Sequence, residues 1–90
     1  MIMTVKTKHG TYECRELTFK DRRKLHRMEV AAIDIDGKFE PSKYYDVIEW
    51  VMDYAFDDPE ANLGELSDVE IDVVLSDIYE AYKKPSKKKK

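Results

Sequence analysis

The stretch Pro41 to Phe56 constrains the fold most strongly, because its apolar residues recur every three or four positions. That spacing places them along one side of an α-helix, with the carboxylates mostly on the other side. A helix with one apolar side has to bury that side against another element of the chain. The apolar side comprises Tyr44, Val47, Ile48, Val51, Met52 and Ala55. We therefore predict a helix over about 41–56.

Two further segments combine helical spacing with a capping signal. Thr18 and Asp21 form a short version of the capping box and predict a helix over about 19–33. Its apolar positions are Leu25, Met28 and Ala32, with Phe19 and Ile33 alongside. Ser67 and Glu70 form a full capping box and predict a helix over about 67–83. Its apolar positions are Ile71, Val74, Leu75, Ile78 and Tyr82.

The segments between these helices are predicted to be loops, and the segment before them a hairpin. "DIDGKFEPS" and "DDPEANLGEL" contain the Gly, Pro and Asp residues typical of turns. Residues 3–16 alternate between apolar and polar side chains, as paired strands do. A turn at His9-Gly10 pairs Val5 with Cys14. One face of this hairpin then carries Met3, Val5, Thr7, Tyr12 and Cys14.

Together these elements predict an α+β fold, mostly helical, with an N-terminal β-hairpin followed by three helices. Residues 1–83 form one small domain, and the lysine-rich residues 84–90 are predicted to be a disordered basic tail. We expect a core of Val47, Ile48, Val51, Ile71, Val74 and Leu75. Trp50, Tyr54 and Tyr79 are predicted to form a partner-contacting surface, since Trp and Tyr are enriched in protein interfaces.

The sequence contains no pattern typical of a catalytic, cofactor or metal site. Its two histidines and one cysteine lie far apart, without the spacing of a zinc site. Its three glycines form no phosphate-binding loop, and its carboxylates fall on the predicted exposed faces of the helices. A single cysteine excludes an intrachain disulfide. We therefore expect no enzyme activity and no small-molecule substrate, and no apolar run is long enough to predict a membrane span.

Charge is distributed unevenly along the chain. Residues 1–39 carry 9 basic and 6 acidic side chains, whereas residues 40–80 carry 1 basic and 13 acidic side chains. The cations of "KDRRKLHR", among them Arg22, Arg23 and Arg27, form a basic face that a nucleic-acid backbone could use together with the lysine tail. Against this, the stretch lacks interleaved aromatic residues, and the neighbouring helices are acidic. We therefore favour compensation by the acidic helices, or protein binding, over nucleic-acid binding.

The N-terminal region resembles the opening of the phage tail assembly chaperones, in which a short strand pair leads into the first helix. The matching pattern is Gly10, Tyr12, Arg15, Leu17, Thr18, Phe19 and Asp21. The resemblance implies a non-enzymatic protein in the host cytoplasm that binds the tape-measure protein and helps tail-tube subunits assemble around it. It also implies a ribosomal frameshift near the codons of the tail, since consecutive lysine codons are rich in adenine.

One alternative function remains open. The acidic stretch 46–80 would suit a small phage protein that mimics DNA and inhibits a host nuclease or repressor. In that case the acidic side chains would face the partner directly. The sequence leaves the oligomeric state open under either hypothesis.

Overall fold

The computed structural model describes residues 2–84, which form a two-stranded antiparallel hairpin followed by four helices. The elements are β1 (Ile2–Thr7), β2 (Gly10–Arg15), α1 (Phe19–Ala32), α2 (Pro41–Ala55), α3 (Pro59–Leu63) and α4 (Asp68–Lys83). The predicted α+β class, a hairpin followed by a mostly helical single domain, is confirmed, although the helices number four and not three. The predicted basic tail lies, from residue 85 onward, outside the described residues.

The hairpin turns one step earlier than the sequence predicts. Thr7 pairs with Gly10, so the turn residues are Lys8 and His9, and the predicted turn at His9-Gly10 is wrong. Gly10 has a φ of 135°, a conformation that residues with a Cβ rarely adopt. The Thr7 hydroxyl closes the turn by accepting from the His9 N–H at 3.2 Å and donating to the Gly10 carbonyl at 2.7 Å. Glycine is therefore needed as the first residue of β2.

The two faces of the hairpin are as predicted, because the pairing is displaced by two residues and two is the side-chain period of a strand. Val5 lies opposite Tyr12 instead of Cys14. Val5 and Cys14 are both buried, and the other members of the predicted face, Met3, Thr7 and Tyr12, are half-buried. The Lys8 N–H donates to the Asp77 carboxylate of α4 at 3.0 Å, which ties the turn to that helix.

Side-chain caps start α1 and α4 where the sequence predicts. The Thr18 hydroxyl accepts from the Asp21 N–H at 3.2 Å, and α1 then runs to Ala32. Ser67 and Glu70 make both bonds of the capping box. These bonds satisfy N–H groups that have no partner inside a helix, and they explain why both boundaries follow from local sequence.

The core lies where α2 and α4 pack against each other, with α1 and the hairpin completing it. The predicted core is confirmed for Val47, Ile48, Val51, Val74 and Leu75, whereas Ile71 is only half-buried. The remaining buried residues are Val5, Cys14, Leu25, Ala32, Ala55, Phe56, Leu63, Ile78, Tyr79 and Tyr82. Residues of every helix and of both strands therefore share one apolar cluster.

Helix α3 lies in a segment that the sequence predicts to be a loop. The Asp58 carboxylate caps it by accepting from the Ala61 N–H at 3.2 Å, and Pro59 occupies the first helical position, where proline is tolerated. Leu63 at its end is buried against the core. A cap, a proline and one buried leucine thus suffice for a helix of 5 residues. The loop prediction for "DDPEANLGEL" is corrected accordingly.

Candidate protein-binding surface

Helix α1 carries apolar residues on two opposite sides, one buried and one exposed. Leu25 and Ala32 lie in the core. Phe19, Val30 and Ile33, in contrast, are 71%, 59% and 40% exposed. At 3.6 residues per turn, Phe19 and Val30 lie within about 20° of each other on the side of α1 that faces away from the core. Ile33 is the C-cap residue that follows the helix. The sequence pattern sets Phe19 and Ile33 alongside the stripe of Leu25, Met28 and Ala32, and the structure leaves both residues exposed.

The basic residues of α1 lie on and beside this exposed side. Arg22, Arg23 and Arg27 are all exposed, and the Arg22 guanidinium carbon lies 5.4 Å from the centroid of the Phe19 ring. Among the ion pairs of residues 2–84, none within 4.0 Å involves these three arginines. Direct ion pairs of these three arginines therefore do not supply the predicted compensation within residues 2–84, and compensation by the acidic helices stays a prediction. The acids of α2, such as Asp46 and Glu49, are exposed.

A groove of about 470 Å³ separates α1 from the C-terminal end of α4. Leu25 and Tyr82 belong to the buried core and form its floor. Of its lining residues only Glu29 is acidic, and that carboxylate accepts a hydrogen bond from the Tyr79 hydroxyl. The complete lining is Phe19, Arg22, Arg23, Leu25, His26, Glu29, Tyr82 and Lys83. The groove therefore has an apolar floor and a predominantly cationic rim.

Tyr79 lies in the core and not on the predicted contact surface. It is 2% exposed, and its ring packs edge-on against those of Phe39 and Tyr44, with centroids 6.4 and 6.2 Å away. Burial, together with the hydrogen bond to Glu29, raises the pKa of Tyr79 above its usual value. The side chain therefore stays neutral and fixes Glu29 from below the groove. Its predicted role in partner contact is corrected to a role in packing.

Trp50 and Tyr54 are half-buried neighbours on α2. Their rings stack with centroids 5.1 Å apart and an interplanar angle of 11°. The Tyr54 hydroxyl donates to the Glu16 carbonyl at 2.9 Å and accepts from the Thr18 N–H at 3.3 Å. Tyr54 therefore links α2 to the residues that precede α1, and it places the Trp50 ring near the start of α1. Their predicted contact with a partner stays a prediction.

Sequence reasoning did not predict that the exposed side of α1 forms a surface, or that Lys83 lines the groove beside it. The signal was present: Phe19, His26 and Ile33 recur every seven residues, with Val30 between the last two. That repeat describes a second helical stripe. Which of two stripes is covered depends on the position of α2, and this information is absent from α1 itself.

Other parts of the described chain offer less to a ligand. Cys14 is buried, and burial raises the pKa of its thiol to about 11, so the thiol is neutral and unreactive at ordinary pH. Within residues 2–84, no three or more His, Cys, Asp or Glu side chains converge as they would to hold a metal ion. No helix of that region is both long enough and apolar enough to cross a membrane.

Comparison of the chain with protein-family models, with curated proteins and with solved structures found no match. The exposed side of α1, the groove beside it and the Trp50 ring are therefore assigned as a candidate surface from geometry and chemistry alone.

Proposed function

We propose that this protein is a tail assembly chaperone, which binds helices of a phage tape-measure protein and assists assembly of the tail tube around them. The observation that carries the proposal is the row of exposed apolar side chains on α1. Phe19, Val30 and Ile33 contribute to this row while the core is closed without them. Large apolar side chains left exposed on an otherwise charged helix surface are typical of protein-binding sites.

The shape of the row favours a helical partner. Phe19 and Ile33 are 14 positions apart, which corresponds to about 20 Å along the axis of α1. Apolar contacts at the two ends of a span of this length match the side of another helix, whose apolar residues also recur along a line. The chain would thus shield an apolar helix that is otherwise exposed to water.

The identity of the partner rests on the resemblance of residues 10–21 to the chaperone family. In this structure, two of those residues fix the local geometry of the hairpin turn and of the start of α1, and a third ties the hairpin to α2. Gly10 follows the turn, Thr18 caps the helix, and the Arg15 Nε–H donates to the Tyr54 carbonyl at 3.0 Å. A shared pattern of this kind supports a shared fold, and the exposed residue Phe19 near its end begins the proposed binding surface.

Co-expression with the tape-measure protein tests the proposal. The wild-type chain should raise the amount of tape-measure protein in the soluble fraction, and the double variant Phe19→Ser/Val30→Ser should abolish that gain, because it removes apolar contacts from α1. Ile2→Ser/Val69→Ser is the matched control, since both residues are exposed apolar side chains on other elements. Trp50→Ala should lower the gain by more than its loss of thermal stability accounts for.

Two results would contradict this assignment. Equal loss of soluble tape-measure protein in the α1 variant and in the control variant would show that apolar exposure as such is responsible. No gain with the wild-type chain would remove the tape-measure protein as partner. Circular dichroism melts of each variant separate these results from simple unfolding, since surface substitutions usually change stability by about 0.5 kcal/mol or less.

A further inference from the structure

The exposed side of α1 is apolar at both ends and cationic between them, with Arg22 and Arg23 about one turn from Phe19. Phe19 is the first residue of the helix, and Val30 and Ile33 lie at its end. Arg22 and Arg23 lie between them and are exposed. The apolar ends are about 16–20 Å apart along the helix axis, at 1.5 Å per residue. A helix that binds here therefore needs apolar and acidic side chains in the matching order along its own axis.

The arginines and the lysine of the groove make no ion pair within the described chain. Arg22 and Arg23 take part in none of the ion pairs of residues 2–84, and neither does Lys83 on the facing wall. The one carboxylate of the lining, Glu29, accepts from the Tyr79 hydroxyl and lies 3.9 Å from the His26 Nδ1. Tyr79 and His26 therefore hold the Glu29 carboxylate in place. The side chains of Arg22, Arg23 and Lys83 thus line the groove as positive charges without an ion pair in the described residues.

We propose that the exposed side of α1, together with the groove beside it, binds an amphipathic helix that carries carboxylates between two apolar ends. The inference rests on the proposed function, because it specifies which helices of the partner are bound. Central carboxylates would meet Arg22 and Arg23, whose guanidinium groups form paired hydrogen bonds with carboxylates. The apolar ends would cover Phe19 on one side and Val30 and Ile33 on the other. Segments of the partner without this order would bind elsewhere or not at all.

A nucleic-acid backbone fits this surface less well. Phosphates would engage the arginines, but they offer no cover for Phe19, Val30 and Ile33 at the two ends. Protein surfaces that combine apolar contacts with charge complementarity gain both stability and specificity. The side of α1 therefore favours an acidic helix over a duplex.

Two synthetic helical peptides test the inference. They have the same amino-acid composition but place their acidic and apolar residues in a different order. An acid-centred peptide of about 16 residues, cross-linked to hold its helix, carries Glu at the centre and Leu at the ends. A reordered peptide has the same composition with Glu at the ends and Leu at the centre. Fluorescence anisotropy at physiological salt measures both. The acid-centred peptide should bind the full chain at least about tenfold more tightly than the reordered one, because unpaired charges and unmatched apolar groups penalise the wrong order.

Charge reversal on the protein provides the second arm. Arg22→Glu/Arg23→Glu should weaken the acid-centred peptide about tenfold or more, whereas Lys20→Glu/Lys24→Glu should weaken it about twofold at most. The control makes the same change of charge on the same helix, at exposed positions outside the groove lining. A third peptide with Lys at the centre should bind the Arg22→Glu/Arg23→Glu variant more tightly than it binds the wild-type chain.

Several outcomes would overturn the inference. If the two peptides bound equally tightly, or if the two charge-reversal variants lost equal affinity for the acid-centred peptide, the result would show only a general attraction between opposite charges. Duplex DNA that displaces the acid-centred peptide at similar concentration would assign the surface to nucleic acid. Self-association of the free chain that is abolished in the Arg22→Glu/Arg23→Glu variant would assign it to a second copy. If neither peptide binds while Phe19→Ser/Val30→Ser still abolishes the tape-measure gain, the inference fails and the proposed function stands.

Discussion

Three titratable side chains show how burial changes the pKa of single residues in this fold. Cys14, Tyr79 and Tyr82 are all buried. Burial raises the pKa of the Cys14 thiol from 9.0 to about 11 and raises the pKa of both tyrosines above their usual value of about 10. Each group is neutral when protonated, so the fold favours the protonated form. In the unfolded chain the same groups ionise at their ordinary pKa.

We predict that the free energy of unfolding falls in alkali, beginning near pH 9. A group whose pKa is raised in the folded state contributes its full stabilisation below its unfolded pKa. That stabilisation is lost as pH rises towards the folded pKa. For Cys14 this window is from pH 9 to about 11, with a slope of at most about 1.4 kcal/mol per pH unit. Urea denaturation at pH 7, 9 and 10 measures it.

The variant Cys14→Ala isolates the contribution of the thiol. It should be less stable at pH 7 because a buried group is removed, but its stability should change less than that of the wild type between pH 9 and 10. Comparison of slopes, and not of absolute stabilities, removes the effect of the cavity. Identical slopes in the two proteins would mean that the thiol ionises equally easily in the folded and unfolded states.

Among the elements, the helices with side-chain caps are the most predictable from sequence. Thr18 and Ser67 mark the first residues of α1 and α4, and the apolar spacing of α2 predicts its boundaries to within one residue. These signals are local, because a cap bond or a stripe involves residues three or four positions apart. Elements that local signals specify can be found without knowledge of the rest of the fold.

The errors concern features that depend on other elements. Glycine suits a turn, which favours His9-Gly10, but the observed pairing places Gly10 at the first position of β2. Helix α3 escapes prediction because the segment around it contains Pro and Gly, and the buried Leu63 that holds it is a tertiary contact. The exposed side of α1 is likewise hidden, because periodicity shows that a residue is apolar but not whether a neighbour covers it.

Helix α3 should therefore depend on its contact with the core. Leu63→Ala should lower the free energy of unfolding by about 2–4 kcal/mol, because a leucine that is 2% exposed leaves a cavity when it is truncated. Asn62→Ala is the control on the same helix, since this side chain is exposed, and it should change stability by about 0.5 kcal/mol or less. Urea denaturation of both variants checks the prediction. A loss below about 1 kcal/mol for Leu63→Ala would show that the end of α3 collapses readily onto the core.

The molecule as a whole has two surfaces of opposite character. One is the exposed side of α1 with its groove, where Phe19 and Arg22 lie side by side. The other consists of the outward carboxylates of α2 and α4, within residues 40–80, which carry 13 acidic side chains and 1 basic one. The acidic surface would keep copies of the chain apart while the α1 surface is occupied by a partner. The alternative hypothesis, DNA mimicry, exchanges these roles and makes the acidic surface the binding site.

Hydrogen–deuterium exchange on the complex with the tape-measure protein distinguishes the two surfaces most directly. With α1 as the binding surface, we predict that complex formation slows exchange of the backbone amides of residues 19–33, and of those around Trp50, relative to the free chain. The backbone amides of α4 before its groove-lining residues Tyr82 and Lys83 should exchange at an unchanged rate. Protection confined to residues 46–80, with α1 unaffected, would contradict the assignment of α1 as the binding surface.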